Sequence, residues 1–212
     1  MTSVRSAFDE AAEFAVDLLG DPAVADHWAE PSALAEMSVG ALAAHLARQI
    51  SNVQLVLAEP MGPEPPVSLL EHYARVTWIG AGLQAAPNVD IRRADEDRAA
   101  VGPAAVAATA ASAARELREQ LATEPADRVV LLPWGPWSLT LDDMLITRIM
   151  EIAVHGDDLA YTVGSLDLQL PEAVADIATG LLVRLAVRSH GQAAVLRALA
   201  RQERAPQSIA AF

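Results

Sequence analysis

Apolar residues recur at helical spacing in one segment after another, and each run stops at glycine or proline. That rhythm leaves little room for anything but a helical fold. Residues 5–19 place Phe8, Ala11, Ala12, Ala15, Leu18 and Leu19 on one face and halt at Gly20-Asp21-Pro22. A loop with Trp28 and Pro31 follows, and Ser38 then stands ahead of "VGALAAHLARQISNVQLVLAE" as an N-cap. In that second helix Leu42, His45, Leu46, Gln49 and Val53 share a face, so a histidine lies on or beside the buried stripe. The Pro-rich "EPMGPEPPVS" must end it, and a third helix is predicted near 67–84. After "APNVDIRRADED" the Ala-rich run 95–122 is long enough to cross a bundle, with Gly102-Pro103 set to break or kink it early.

One stretch departs from this rhythm. "DRVVLLPWGPWSLT" joins four consecutive apolar residues to a Pro-Trp-Gly-Pro-Trp run, which suits an extended segment or an irregular hairpin. Thr140 or its neighbour then caps a helix with Asp142 and Asp143 in its first turn, where the helix dipole favours them, and Gly164 ends it. Pro171 opens another helix to about His190, and Gly191 separates a last one ending near Arg201. The expected organisation is a helical body over residues 1–165 with a short helical extension, residues 166–212, packed on it.

Composition excludes several chemistries. With no cysteine, the chain offers no disulfide, no thiolate metal ligand and no cysteine nucleophile, so any thiol must come from outside. A formal charge of −13, from 28 acidic against 15 basic residues, repels phosphate backbones, and no basic patch offsets it; no nucleic-acid partner is expected. The first twenty residues lack a basic head and a continuous apolar core, so no secretory signal is expected. No apolar run approaches the roughly 20 residues of a membrane span. The expectation is a cytoplasmic protein without a membrane partner, monomeric or homodimeric.

The chemistry concentrates in "RIMEIAVHGDDLAYTVG", residues 148–164. Residues four apart on a helix lie one turn apart and about 40° round it, so Glu151 and His155 can aim at one point. Such a pair is half of a metal site or an exposed hydrogen-bonded pair, and spacing alone does not choose. A reactive metal site takes three protein ligands and leaves a position open, so a third must come from another helix. His45 is the candidate, since a neutral imidazole without a partner is a poor occupant of "ALAAHLARQI". His27 and His72 stand beside aromatic residues in more exposed contexts and His190 closes a helix; these three read as structural.

Two stretches carry a family resemblance. "HWAEPSALAEMSVGALAAHLARQI" resembles the entry and second helix of the mycothiol-dependent maleylpyruvate isomerase N-terminal family, one of the DinB-like four-helix bundles. Trp28, Pro31, Ser32, Val39, Gly40, Leu42, His45 and Leu46 match that family's tryptophan, Pro-Ser turn and V-G-x-L-x-x-H-L helix in order. Glu151, His155, Asp158 and Leu159 are similar to its later signature, E-x-x-x-H-x-x-D-L. The resemblance covers roughly residues 5–165, and two motifs a hundred residues apart make it fairly specific.

The resemblance implies an all-α, DinB-like up-and-down four-helix bundle with a short C-terminal helical extension. It also implies a divalent metal, most often zinc, held by His45, Glu151 and His155, with water or a cofactor thiol in the open position. The family's metal helps lower the pKa of the thiol, which suits a chain with no cysteine. The partners implied are mycothiol, as the small-molecule thiol, and an electrophilic substrate. The isomerase proper also has a C-terminal domain that helps bind substrate carboxylates, and none of its functional residues maps onto this chain after Gly164.

Further candidates flank the triad. Asp158 either orients the His155 imidazole or faces away from it. Arg148, one turn before Glu151, and Arg184 and Arg188, one turn apart on the penultimate helix, offer themselves to an anionic substrate or thiol cofactor, or to helix-surface ion pairs. Trp134 and Trp137 wall a pocket mouth or lie in the core under a loop. The leading functional expectation is metal-dependent thiol transfer or isomerisation. The alternatives are a non-catalytic metal-binding or interaction module and a metal-free scaffold of the same fold.

Overall fold

The computed structural model describes residues 3–61, 65–125, 127–165 and 169–212. Among them the chain is mostly helical, with nine α-helices and one two-stranded sheet. The first helix, α1 (Val4–Leu19), starts at Ser3, whose hydroxyl accepts from the Ser6 amide. A short α2 (Pro22–Asp26) follows, started by an Asp21 cap and by Pro22, whose missing N–H costs nothing in a first turn. The apolar spacing gave no sign of a helix so short.

Ser38 caps α3 (Val39–Ala58), as its position foretold. The helix expected near 67–84 is only α4 (Leu69–Arg75), after which the chain leaves helical geometry at Val76 and runs irregularly to Ala85. The Pro-rich linker before it lies partly outside the described residues, at 62–64.

The Ala-rich run divides completely at Gly102-Pro103. Gly102 adopts φ +88°, a conformation L residues rarely take, and Pro103 opens a new helix. The two pieces are α5 (Ala86–Ala99) and α6 (Pro103–Thr123). Helix α5 reaches back through "APNVDIRRADED", because Pro87 lies in its first turn and polar contacts, not an apolar stripe, hold it down. Asp95 and Ala99 are its only buried residues; Glu96 accepts from the Ser38 amide and hydroxyl, and Arg92 pairs with Glu36.

The extended segment is a hairpin, β1 (Val129–Leu131) against β2 (Ser138–Thr140), antiparallel, with Val130 opposite Leu139. Thr140 then caps α7 (Leu141–Val163), and Gly164 ends it in the left-handed conformation at φ +77°. Helices α8 (Glu172–His190) and α9 (Gln192–Ala200) complete the chain. The expected division at 165/166 falls at residues 166–168, outside those described.

Four long helices make the centre: α1 packs on α6 and α7, and α3 packs on the same two. Phe8, Leu18, Leu42, Leu46, Ile50, Leu117, Met144, Leu145 and Ile149 are fully buried between them. Helix α8 lies against α7 and α1, and α5 lies along α3. Close approach is built in at Gly156, where a Cβ would stand 2.5 Å from the Phe14 ring of α1. No helix among the described residues is long and apolar enough to cross a membrane.

Candidate metal centre

Helix α3 carries His45, and the adjacent α7 carries Glu151 and His155 one turn apart. Packing brings the two imidazoles edge to face, with ring centroids 4.6 Å apart. One ligand atom from each of the three residues lies within 4.8 Å of the others, close enough to hold one metal ion. This is no exposed pair: Glu151 is 9% exposed.

The tautomers are fixed from outside the cluster. His45 Nδ1 lies 2.6 Å from Asp95 Oδ2 and His155 Nδ1 lies 3.1 Å from Asp158 Oδ2. Arg48 Nη2 also lies 3.0 Å from His45 Nδ1, but it has its own acceptor in the same Asp95 oxygen at 3.2 Å. A carboxylate can only accept, so the shorter contact at His45, to Asp95, and the contact of His155 to Asp158 put a proton on each Nδ1 and leave each Nε2 for the shared point. His155 Nε2 is 3.2 Å from Glu151 Oε2. Of the two orientations open to Asp158, the structure takes the one toward the imidazole.

Asp95 had no sequence signal, since it sits in a charge-rich stretch that reads as solvated surface. It is fully buried and accepts from His45, from Arg48 Nε at 3.1 Å and from Arg98 Nη1 at 3.0 Å. Burial pushes its carboxyl pKa up, but the His45 hydrogen bond and the His45 and Arg48 charges outweigh this and lower it. Burial dominates at His45, lowering its pKa against the Asp95 hydrogen bond.

The other two members shift in opposite directions. Burial would raise the Glu151 carboxyl, yet the His155 hydrogen bond and the Arg148 charge bring it down to about 2. Burial would lower His155, yet its hydrogen bonds to Asp158 and Glu151 raise it to about 9. The cluster therefore holds an ionised carboxylate ready to ligate and an imidazole whose proton a metal must displace.

The triad opens on a cavity of about 660 Å³ between α3, α4, α5, α7 and the hairpin. Trp134 and Trp137 both border it, and Trp137 also packs in the core. His72 corrects the expectation of an exposed residue: it is 3% exposed, and its Nδ1 accepts from Trp137 Nε1 at 3.0 Å. It shares the buried face of α4 with Leu69 and Tyr73, and burial, with the Arg148 charge, lowers its pKa to about 4. Its neighbour Tyr73 is a cavity residue that the sequence did not suggest.

The arginines separate. Arg148 is buried at the cavity floor, with Nη1 donating to Gln49 Oε1 at 2.5 Å and Nε to Thr147 Oγ1 at 3.0 Å. Gln49 in turn donates to the His45 carbonyl, so one side chain ties α3 to α7 beside the triad. Arg184 and Arg188 lie on the exposed face of α8 and do not border the cavity; Arg188 donates to the Leu70 carbonyl instead. The face of α8 that packs on α7 carries its apolar residues, which turns both arginines outward. Of the remaining histidines, His27 bonds the Ala23 carbonyl and His190 the Ala210 carbonyl, as structural histidines do.

The model for the mycothiol maleylpyruvate isomerase N-terminal domain matches residues 8–160, from α1 almost to the end of α7. The chain belongs to this family. Comparisons with curated proteins and with solved structures gave no match. Membership connects the His-Glu-His cluster with a mycothiol-related, metal-binding function. It also gives the resemblance motif a physical reading: the Trp28 indole lies over Gly40, where a Cβ would stand 2.7 Å from the ring. The tryptophan thereby fixes the start of the helix that carries His45.

Proposed function

We propose that this chain is a divalent-metal-dependent enzyme of thiol transfer or isomerisation, with mycothiol as the thiol. His45, Glu151 and His155 are the metal ligands in this reading, zinc the metal, and α1, α3, α6 and α7 the DinB-like up-and-down bundle that presents them. Residues 166–212 are the helical extension, and the compartment is the cytoplasm. The observation that carries the reading is the convergence of the cluster: one ligand atom from each of two imidazoles and one carboxylate meet at the wall of an open cavity. A purely structural site closes its fourth position with protein, and the cavity argues for a site that meets a ligand.

When bound, a divalent cation supplies the charge that lowers the pKa of a thiol and keeps it as thiolate. The residues do the rest. Asp95 and Asp158 hold both imidazoles in the tautomer that offers Nε2. Glu151 contributes the negative charge that would bind the cation, and Trp134, Trp137 and Phe212 give the cavity an apolar wall.

The experiment is metal content by elemental mass spectrometry beside His45→Ala and Glu151→Ala variants that remain folded by circular dichroism. Near-stoichiometric metal, lost in both variants, supports the ligand set, and consumption of mycothiol with electrophiles then tests turnover. Bound metal without consumption across broad electrophile classes favours a non-catalytic module. Protein that stays empty after incubation with zinc, nickel and iron(II) refutes the reading.

A further inference from the structure

Four arginines border the cavity, Arg48, Arg75, Arg92 and Arg148. Three are neutralised within the chain: Arg48 by Asp95, Arg75 by Glu71 and Arg92 by Glu36. Arg148 is the most buried of the four, at 8% exposed, and among the described residues no carboxylate is in salt-bridge contact with it. Its Nε and Nη1 are held by the neutral oxygens of Thr147 and Gln49, and its Cζ lies 5.5 Å from the Trp134 ring centroid. These contacts orient the guanidinium without discharging it. Nη2 makes no hydrogen bond to the described residues.

A second unpaired group borders the same cavity. Tyr73 borders the cavity on α4, and its buried hydroxyl has no hydrogen-bond partner among the described residues. Burial and the nearby Glu151 charge raise its pKa, so it is a phenol that donates. An unpaired buried donor and an unpaired guanidinium edge bordering one cavity call for an acceptor that carries negative charge.

Arg148 brings one positive charge, which a group with a single negative charge balances, and the walls around it are Trp78, Trp134, Trp137, Ile91 and Phe212. That this group belongs to an electrophile rests on the metal reading proposed above.

We propose that Arg148 and Tyr73 form a carboxylate subsite, and that the electrophile taken by this cavity is a monocarboxylate with an aromatic or other apolar body. Arg148 Nη2 and the Tyr73 hydroxyl donate to the carboxylate while the aromatic walls enclose the body, which sets the reacting carbon toward the triad.

The test is binding of benzoate to the full chain, followed by tryptophan fluorescence and calorimetry, with benzamide as the neutral isostere and metal content measured on the same samples. Benzoate is expected to bind at least about tenfold more tightly than benzamide, as a charge-assisted contact requires. The preference is expected to vanish in Arg148→Met and to shrink in Tyr73→Phe, which keeps the ring. Equal binding of the two probes by wild type, or an unchanged preference in both variants, overturns the subsite. If Arg148→Met does not fold, Tyr73→Phe decides alone. Chelated protein separates the two readings. A preference that survives metal removal and depends on Arg148 supports the subsite whether or not the chain takes up metal, whereas one that vanishes with the metal and ignores Arg148 belongs to the cation and overturns it.

Discussion

Replacing Asp95 with asparagine tests whether the polar seam between α5 and α3 builds the metal site or only glues two helices. The carboxylate is fully buried and accepts from His45, Arg48 and Arg98, with Arg48 bonding both of its oxygens. Asparagine keeps the shape but has one accepting oxygen and no charge, so Arg48 loses its counter-charge and His45 its anionic partner. Removing one partner of a buried ion pair costs about 3–5 kcal/mol. Arg48 and Arg98 keep access to water, with side chains 23% and 50% exposed, which places the expected loss toward about 3 kcal/mol. Metal affinity is expected to fall separately, by about 10–100-fold, because the tautomer and orientation of His45 are no longer enforced. Urea unfolding of chelated protein reads the first quantity, and competition with a coloured chelator on folded protein reads the second. A variant that loses stability but binds metal as tightly as wild type would show that Asp95 braces the helices and nothing more, and would refute the role assigned to it.

The remaining predictions concern acid, close packing and metal. His72 is neutral in the fold with a pKa of about 4, against about 6.5 when unfolded, so the unfolded chain takes up a proton first as pH falls. Its contribution is intact above pH about 6.5 and is lost down to pH about 4, at most about 3 kcal/mol, and the slope of unfolding free energy against pH should flatten in His72→Gln. Gly156→Ala sets a Cβ against the Phe14 ring and should cost about 1–3 kcal/mol. Gly180→Ala, on a face of α8 where a Cβ meets nothing, should instead stabilise by about 0.5–1 kcal/mol in the same urea assay. Metal at about a hundred times its dissociation constant should add about 2.7 kcal/mol, raising the melting temperature by about 5–10 °C, and the gain should disappear in Glu151→Ala. Because His155 is raised to about 9, loading at pH 7 should release about one proton, readable by calorimetry in buffers of different ionisation enthalpy; release near zero would contradict the pairing with Glu151 and Asp158.

Where helices bury an apolar stripe, their boundaries were legible. Ser38, Thr140, Gly164 and Gly191 all do what their residue types suggest, because caps and positive-φ glycines act locally. The sequence misleads at α4 and α5 for opposite reasons. Helix α5 buries only Asp95 and Ala99, so the period that betrays an amphipathic helix is absent, and its stability comes from pairs such as Asp95–Arg48 and Arg92–Glu36 whose partners lie far along the chain. Helix α4 fails the opposite way, since apolar spacing continues past Arg75 while the chain has already turned out of the helix at Val76.

The same distinction separates the parts of the candidate site. Glu151, His155 and Asp158 are legible because one helix sets their geometry, and any chain that forms α7 brings them together. His45 required a second helix at the right height, and Gly40 shows how that height is set: the Trp28 indole presses on the first turn of α3, five residues before the histidine. Asp95, Tyr73 and the lack of a carboxylate partner for Arg148 among the described residues depend on packing between elements that share no sequence pattern. An arginine one turn before a glutamate suggests an i,i+3 ion pair, yet here the glutamate is turned toward His155 and the arginine toward Gln49. The cation freed by that arrangement distinguishes a cavity prepared for an anion from one that merely surrounds three possible ligands.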